Sequence, residues 1–131
     1  MVGDPIGDFI NRIKNASKTD KKVVSAPYSK IKESVANLLK KEGYVGFVDV
    51  KGKGVKKTLE LGLVSKKDGT PAISGARRLS KPGRRIYKGA GDIRPVKFGH
   101  GRLVLSTPEG VISGGEAKKK RVGGELLFEI W

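Results

Sequence analysis

Apolar residues recur at helical spacing in two stretches of the first half of the chain. The first stripe consists of Ile6, Phe9, Ile10 and Ile13. Asp4 can cap its amino end and Pro5 suits the first helical position, so a helix is predicted there. The second stripe consists of Ile31, Val35, Leu38 and Leu39. Ser29 is the candidate cap of this second helix, and Gly43 is expected to end it in a left-handed conformation.

Between and after the two predicted helices, the pattern is that of β-strands. Val23 and Val24 predict a short strand that Pro27 closes. Two further strands are predicted at 44–50 and 55–64, and the leucines of the second alternate as a half-buried strand requires. The order of elements in this half of the chain is therefore α-β-α-β-β.

From residue 72 onward, Pro and Gly punctuate short strands. Strands are predicted at 72–79, 84–88, 102–107, 111–112 and 125–131. Ser113 and Glu116 have capping-box spacing for a short helix through Arg121, which Gly123 and Gly124 are expected to stop.

A turn-rich connection centred on Asp68 and Gly69 separates these two patterns. We place a boundary there between an N-terminal α/β subdomain at 1–70 and a C-terminal, mostly β subdomain at 71–131. The predicted fold class is α+β, with two small packed subdomains and a short helix in the second. A chain of 131 residues is near the usual size of one domain, which excludes a large multidomain enzyme.

The charge of the chain indicates its class of partner. Lys and Arg number 28 against 13 Asp and Glu, which gives a formal net charge of +15. So large an excess favours a polyanion, most often a nucleic acid and less often a membrane surface. The segment 77–102 carries nine basic residues against Asp92 alone, whereas 103–131 sums to zero. The basic zone at 77–102, like the basic stretch 1–75 with its net charge of +7, thus lies before a neutral C-terminal segment.

The sequence contains no pattern that supports catalysis, cofactor binding or metal binding. The chain has no Cys and one His, His100, which lies between two glycines and is interpreted as a turn residue. No acid–base constellation, nucleophile elbow or phosphate loop is present, so we expect no enzyme, cofactor, metal site or small-molecule substrate. Apolar runs are far shorter than a membrane span, and we expect a cytoplasmic protein without a membrane partner.

Two segments combine the groups that RNA recognition uses. Residues 80–87 join a Pro82–Gly83 turn to paired guanidiniums and Tyr87, and residues 106–110 form a tight turn with two hydroxyls. Basic side chains bind phosphates, whereas hydroxyls, amides and aromatic faces read unstacked bases. The alternatives are a solvated hairpin with a core tyrosine for the first segment and a plain turn for the second.

The sequence resembles the family of the eighth protein of the bacterial-type small ribosomal subunit along almost its whole length. The matching pieces are Asp4-Pro5-Ile6, Arg12-Ile13-Lys14-Asn15, Pro27-Tyr28-Ser29-Lys30, Leu39 with Glu42-Gly43, residues 80–87, Ser106-Thr107 with Gly110-Val111, and Gly123-Gly124-Glu125. Each piece alone is weak evidence of kinship, but their order and spacing together are specific.

The resemblance implies a primary binder of the central domain of 16S rRNA, which docks early on an irregular helix and supports assembly and translation. It also implies contacts with neighbouring small-subunit proteins, a ribosome-bound location and, in some bacteria, repression of the protein's own operon mRNA. By the same resemblance, Ser106 and Thr107 fall on the base-contacting loop, and Tyr87 on the RNA-facing tyrosine. Gly123, Gly124 and Glu125 fall on the turn that shapes this surface.

We expect the phosphates to be held by the exposed face of the first helix and by the basic zone. The expected phosphate contacts are Arg12, Lys14, Asn15, Lys30, Lys81, Arg84 and Arg85. Turns at Pro82, Gly83 and Gly110 are expected to shape the surface. Pro108 and Glu109 depart from the family pattern, and so does the basic segment after Ser113. A sequence-neutral DNA-compacting protein is the competing class, because it would share the charge.

Overall fold

The structure is a computed structural model that describes residues 4–19, 21–94 and 101–131. That part of the chain forms three α-helices and eight β-strands. The helices are α1 (Pro5–Lys18), α2 (Lys30–Lys41) and α3 (Gly114–Lys120). The strands are β1 (Val23–Pro27), β2 (Val45–Lys51), β3 (Thr58–Leu63), β4 (Ala76–Arg78), β5 (Tyr87–Lys88), β6 (Arg102–Thr107), β7 (Gly110–Ser113) and β8 (Gly124–Ile130). The α+β class and the order α-β-α-β-β of the first half are confirmed.

The chain divides into two compact units. One is Asp8–Ser74, and the other combines Met1–Gly7 with Gly75–Trp131. The first unit contains a three-stranded antiparallel sheet of order β1-β3-β2. The second contains a five-stranded antiparallel sheet of order β4-β8-β6-β7, in which β5 also pairs with β8. A subdomain boundary between residues 70 and 71 stays a prediction.

The apolar stripes of the first half form a core, with one exception. Six of the predicted apolar positions are at most 1% exposed: Phe9, Ile13, Val35, Leu39, Leu59 and Leu61. Ile31, which was expected on the buried face of α2, is 38% exposed, so that prediction was wrong. Its neighbour Lys32 is buried instead, because the ammonium donates a hydrogen bond to the carbonyl oxygen of Pro27 at 3.0 Å.

The predicted helix caps are confirmed. The amide of Gly7 donates to Asp4 Oδ1 at 3.0 Å, and the amide of Lys32 donates to Ser29 Oγ at 3.3 Å. Each bond satisfies one of the backbone donors that a helix leaves free in its first turn. Gly43 follows α2 with a φ of +86°, a conformation that glycine adopts without a steric penalty.

The strand predicted at 55–64 starts later than expected. Residues Gly54–Lys56 form one turn of 3₁₀ helix, and β3 begins only at Thr58. Val55 lies at the tip of this turn and is fully exposed, at 103%. An apolar side chain at the start of the predicted strand therefore contributes nothing to the core.

In the second unit, the first two strands are shorter than predicted and the helix ends differently. Strand β4 covers three of the residues at 72–79, and β5 covers two of those at 84–88. Helix α3 is capped as expected, with the amide of Glu116 donating to Ser113 Oγ at 3.2 Å. Its last turn is closed by Arg121, whose φ is +56°, and not by the following glycines.

One core cluster of the second unit is small and apolar. Its buried members are Ile93, Leu103, Leu105, Ile112, Ala117 and Leu126. Leu79, Ile86, Val122 and Trp131 pack against this cluster. The expected turn at His100, and Lys97 of the basic zone, lie outside the described residues.

Candidate nucleic-acid interface

Three neighbouring strands bring two of the predicted base-contacting residues into one row. Tyr87 on β5 pairs with Glu125 on β8, and Glu125 pairs with Ser106 on β6. Residues directly opposite each other in antiparallel strands point to the same face of the sheet. Tyr87 and Ser106, separated by 19 positions in the sequence, therefore share one face, with Glu125 between them.

Tyr87 and Ser106 both keep free hydrogen-bonding groups on this face. The Tyr87 side chain is 67% exposed, which argues against the alternative of a core tyrosine. Within the described part of the chain, neither the Tyr87 nor the Ser106 hydroxyl has a hydrogen-bond partner. An exposed aromatic ring and a free hydroxyl are groups that stack on and hydrogen-bond to unpaired bases.

Thr107 differs from its neighbour, because its hydroxyl is used within the turn. Thr107 Oγ1 donates to the carbonyl oxygen of Gly110 at 2.9 Å and accepts from the amide of Glu109 at 3.1 Å. Gly110 has a φ of +110°, which favours glycine at this position. Of the two hydroxyls that the sequence places here, only that of Ser106 is available to a ligand.

The negative charge of Glu109, which departs from the family pattern in this turn, is partly offset by a positive charge on the short helix α3. Glu109 and Pro108 form the exposed two-residue loop between β6 and β7. The Lys120 ammonium on α3 lies 3.9 Å from Glu109 Oε2 and 3.7 Å from Glu116 Oε2. The lysines after Ser113 thus supply positive charge beside the glutamate that would otherwise repel phosphate.

Close approach of β8 to its neighbours explains the two glycines where the strand begins. A Cβ at Gly124 would overlap the Ser106 carbonyl oxygen, and one at Gly123 would lie 2.7 Å from Gly89 Cα. Neither residue could carry a side chain without displacing a neighbouring backbone. The glycines set how closely the strands that carry Tyr87 and Ser106 approach each other.

Glu125, expected as part of the shaping turn, also holds one of the predicted phosphate ligands. Its carboxylate is 3.2 Å from a guanidinium nitrogen of Arg85. The Glu125 side chain is only 14% exposed, whereas that of Arg85 is 56% exposed. The pair neutralises the carboxylate in the centre of the row and orients the guanidinium at the surface.

The hairpin next to Arg85 presents the other basic groups of this segment. Lys81 and Arg84 exchange two backbone hydrogen bonds of 2.9 Å, which places Pro82 and Gly83 at the exposed tip. Both basic side chains are exposed, as phosphate contacts require. Ser80, which the sequence pattern did not single out, is 2% exposed and accepts a hydrogen bond from the Ile86 amide at 2.9 Å. The Ser80 hydroxyl thus stabilises the base of the hairpin.

In the first unit, Arg12 lies between two shallow depressions at the free edge of β1. Its side chain donates to Asp8 Oδ2 at 2.9 Å and to the carbonyl oxygen of Ser25 at 3.1 Å. Asn15 and Lys21 line one depression, together with Arg12. The other also includes Arg12, and its basic members are Lys56 and Lys57.

Two of the predicted phosphate contacts in this unit lie apart from that edge. Lys14 is half-buried and Lys30 is exposed, and neither lines the depressions beside Arg12. Lys21, Lys56 and Lys57 line them without having been predicted. Lys56 and Lys57 fell within the strand predicted at 55–64, so their place beside Arg12 was not anticipated.

Tyr28 links this lysine-rich segment to the start of α2. The Lys57 ammonium lies 5.1 Å from the centre of the Tyr28 ring, within range of a cation–π contact. The Tyr28 hydroxyl donates to Glu33 Oε1 at 2.7 Å, and this hydrogen bond raises the pKa of the phenol. These contacts position Lys57 at the depression.

Comparison with known proteins identifies the family. The sequence model described as Ribosomal protein S8 matches residues 4–131. The chain belongs to the ribosomal protein S8 family. It is 48% identical over 131 residues to the small ribosomal subunit protein uS8 of Nitratidesulfovibrio vulgaris (strain DSM 19637 / Miyazaki F), with all of both chains covered. It is 43% identical to the uS8 protein of Persephonella marina, again with full coverage, and 46% identical to that of Chloroflexus aurantiacus, over 99% of this chain and 98% of the relative.

Membership of the S8 family confirms the resemblance derived from the sequence pieces. The family is one of ribosomal proteins and not of enzymes. Among the described residues, no group of three or more His, Cys, Asp or Glu side chains is arranged to hold a metal ion. None of the described helices is long and apolar enough to cross a membrane.

Proposed function

We propose that this S8-family protein is an RNA-binding constituent of the small ribosomal subunit that docks early on the central domain of 16S rRNA. It would support assembly and translation as a structural component of the ribosome in the cytoplasm. The chain is similar over its full length to relatives named as small ribosomal subunit proteins, and this similarity supports the ribosomal part of the proposal. The net charge of +15 supports the RNA part.

The row of Tyr87, Glu125 and Ser106 is the observation that carries the proposal. It places a free aromatic ring and a free hydroxyl on one face of three paired strands. Rigid strands hold such groups at fixed separations, and fixed separations are what a distorted RNA helix with unstacked bases can match. We infer that Tyr87 and Ser106 contact bases and that Thr107 acts by shaping the loop.

Affinity would come from the basic groups around the row. Arg85 is oriented by Glu125, and Lys81 and Arg84 extend from the exposed hairpin. In the first unit, the edge at Arg12, with Asn15, Lys21, Lys56 and Lys57, offers a second set of phosphate contacts. Contacts of this kind bind any RNA, so selectivity depends on the base contacts.

The direct experiment is a binding titration with an isolated central-domain rRNA helix. A loop-scrambled helix of the same length and a DNA duplex serve as competitors, and each titration is run at two salt concentrations. We expect preference for the native helix at both salts. Equal affinity for the native and scrambled helices would contradict the proposal, and preference for duplex DNA would favour the DNA-compacting class. A fragment of the protein's own operon mRNA tests autoregulation in the same assay.

Ser106→Ala should weaken binding to the native helix by about 1–3 kcal/mol, by analogy with base contacts in DNA sites. Binding to the scrambled helix should be nearly unchanged, because the hydroxyl contributes only to base recognition. Ser74→Ala, which alters an exposed serine of the other unit, is the matched control. An equal loss on both RNAs would show that Ser106 does not read bases.

A further inference from the structure

The outer face of the three-stranded sheet in the first unit differs in character from the surfaces described above. Val23, Gly62 and Phe47 are paired across β1, β3 and β2 and form one row. The residues on the opposite face, such as Val24 and Leu61, are buried in the core. Because strand residues alternate between faces, the row of Val23 and Phe47 belongs to the outer face.

This row is apolar and exposed. Val23 is 48% exposed and Phe47 is 41% exposed, and they are two of the five large apolar residues that are exposed in the described part of the chain. The ring of Phe47 lies over Gly62, where even a Cβ would overlap it. Because Gly62 has no side chain, the ring of Phe47 packs directly on the strand and is held in place as an apolar surface.

The next row on the same face is acidic. Ser25, Glu60 and Asp49 are paired across the same three strands. Glu60 forms an ion pair with the Lys51 ammonium at 3.2 Å. Asp49 is exposed and has no ion pair among the described residues. Asp49 therefore retains its negative charge at the surface of a chain whose net charge is +15.

The β2 end of these two rows is unsuited to RNA. Their β1 end, at Val23 and Ser25, borders the depression that Arg12 and Lys21 line. At the β2 end an uncompensated carboxylate repels phosphate, and the depressions with their basic side chains include neither Phe47 nor Asp49. The two rows are suited to a positively charged protein segment, whose Lys or Arg would pair with Asp49 while an apolar side chain packs on Phe47 and Val23.

We propose that the outer face of this sheet docks a basic segment of a neighbouring protein in the small ribosomal subunit. The location in the subunit rests on the proposed function, whereas the chemistry of the partner rests on the two rows. Phe47 and Val23 form the apolar anchor, and Asp49 supplies the charge that selects a basic partner over RNA.

A photo-crosslinking residue in place of Phe47 tests this interface in the assembled particle. The variant is incorporated into small subunits, irradiated, and its crosslinked peptides are identified by mass spectrometry. We expect a crosslink to a protein segment that contains Lys or Arg. A crosslink to rRNA, to a segment without basic residues, or no crosslink from an incorporated variant would overturn the proposal. The same group at Lys51, which is exposed on the same strand and face as Phe47, repeats the test if the Phe47 variant does not fold.

The contribution of charge is tested by two variants with the same change in net charge. Asp49→Asn removes the carboxylate from the outer face, and Asn37→Lys adds a charge on the exposed side of α2. We expect Asp49→Asn to lower the crosslink yield several-fold and Asn37→Lys to leave it unchanged. Equal effects of the two substitutions would contradict a specific role for Asp49.

The binding titration with the rRNA helix separates this proposal from the function on which it rests. Asp49→Asn should bind the rRNA helix as the unaltered protein does, since Asp49 lines neither of the depressions beside Arg12. Normal rRNA binding and incorporation without a protein crosslink would overturn only the interface. Loss of specific rRNA binding by the unaltered protein would overturn the proposed function, and the proposed location of the interface with it.

Discussion

Ser106 and Thr107 illustrate how adjacent residues of one motif take different roles. Successive side chains of a strand point to opposite faces, so the two cannot both lie in the row with Tyr87. Ser106 lies in that row, and Thr107 at the strand end turns its hydroxyl to the loop, where it bonds to Gly110 and Glu109. The chemistry of the motif is visible in the sequence, but the division of roles depends on strand register.

Ser80 leads to a stability prediction at the scale of one residue. Ser80→Ala removes the oxygen that accepts from the Ile86 amide at the buried base of the hairpin. A buried amide left without a partner destabilises a protein by about 1–3 kcal/mol, and we expect urea unfolding to show a loss of that size. Ser25→Ala is the control, because this serine is exposed and only its backbone carbonyl is used. A change of similar size in both variants would contradict the assigned role of Ser80.

At the scale of secondary-structure elements, the glycines around α3 and β8 show how the role of a residue depends on its neighbours in space. The sequence suggested that Gly123 and Gly124 stop the helix, yet Arg121 closes it and the glycines serve strand packing. A left-handed arginine is uncommon, so local preference pointed to the glycines. Whether a glycine is required for its φ or for close approach depends on neighbouring strands that lie far away in the sequence.

Gly124→Ala tests the packing role of this glycine. The added methyl group would overlap the Ser106 carbonyl oxygen, and overpacking of this kind destabilises by about 1–3 kcal/mol. Gly115→Ala is the matched control, because a Cβ there meets nothing within 4 Å and the residue lies in α3. Alanine should stabilise that helix position by about 0.5–1 kcal/mol. Thermal unfolding should therefore shift in opposite directions, and a shared direction would contradict the assignment.

At the scale of the whole molecule, the excess positive charge determines how binding depends on salt. If 6 to 10 phosphates are neutralised, affinity should fall by about 10³–10⁵ between about 50 and 200 mM salt, by analogy with duplex DNA. Arg84→Ala should weaken binding to native and scrambled RNA alike and reduce the salt slope by about 1, as expected for a phosphate contact.

Arg77→Ala is the control for Arg84, since it makes the same change in net charge at a different place. Arg77 is 3.4 Å from Glu129 near the end of β8, whereas Tyr87 pairs with Glu125 near its start. We expect a smaller change in the salt slope for Arg77→Ala in the same titrations. Equal slopes for the two variants would indicate that net charge alone, and not the position of Arg84, determines the salt dependence.

The sequence by itself determined the class of partner, the helices with their N-terminal caps, and the order of the strands. These follow from net charge, from periodicity and from cap residues, which act within a few positions along the chain. Only the tertiary structure decided that Ile31 and Val55 are exposed, that Thr107 serves its own turn, and that Phe47 and Asp49 share an outer face. Burial and strand register depend on residues that are distant in sequence and adjacent in space, so no local pattern contains them.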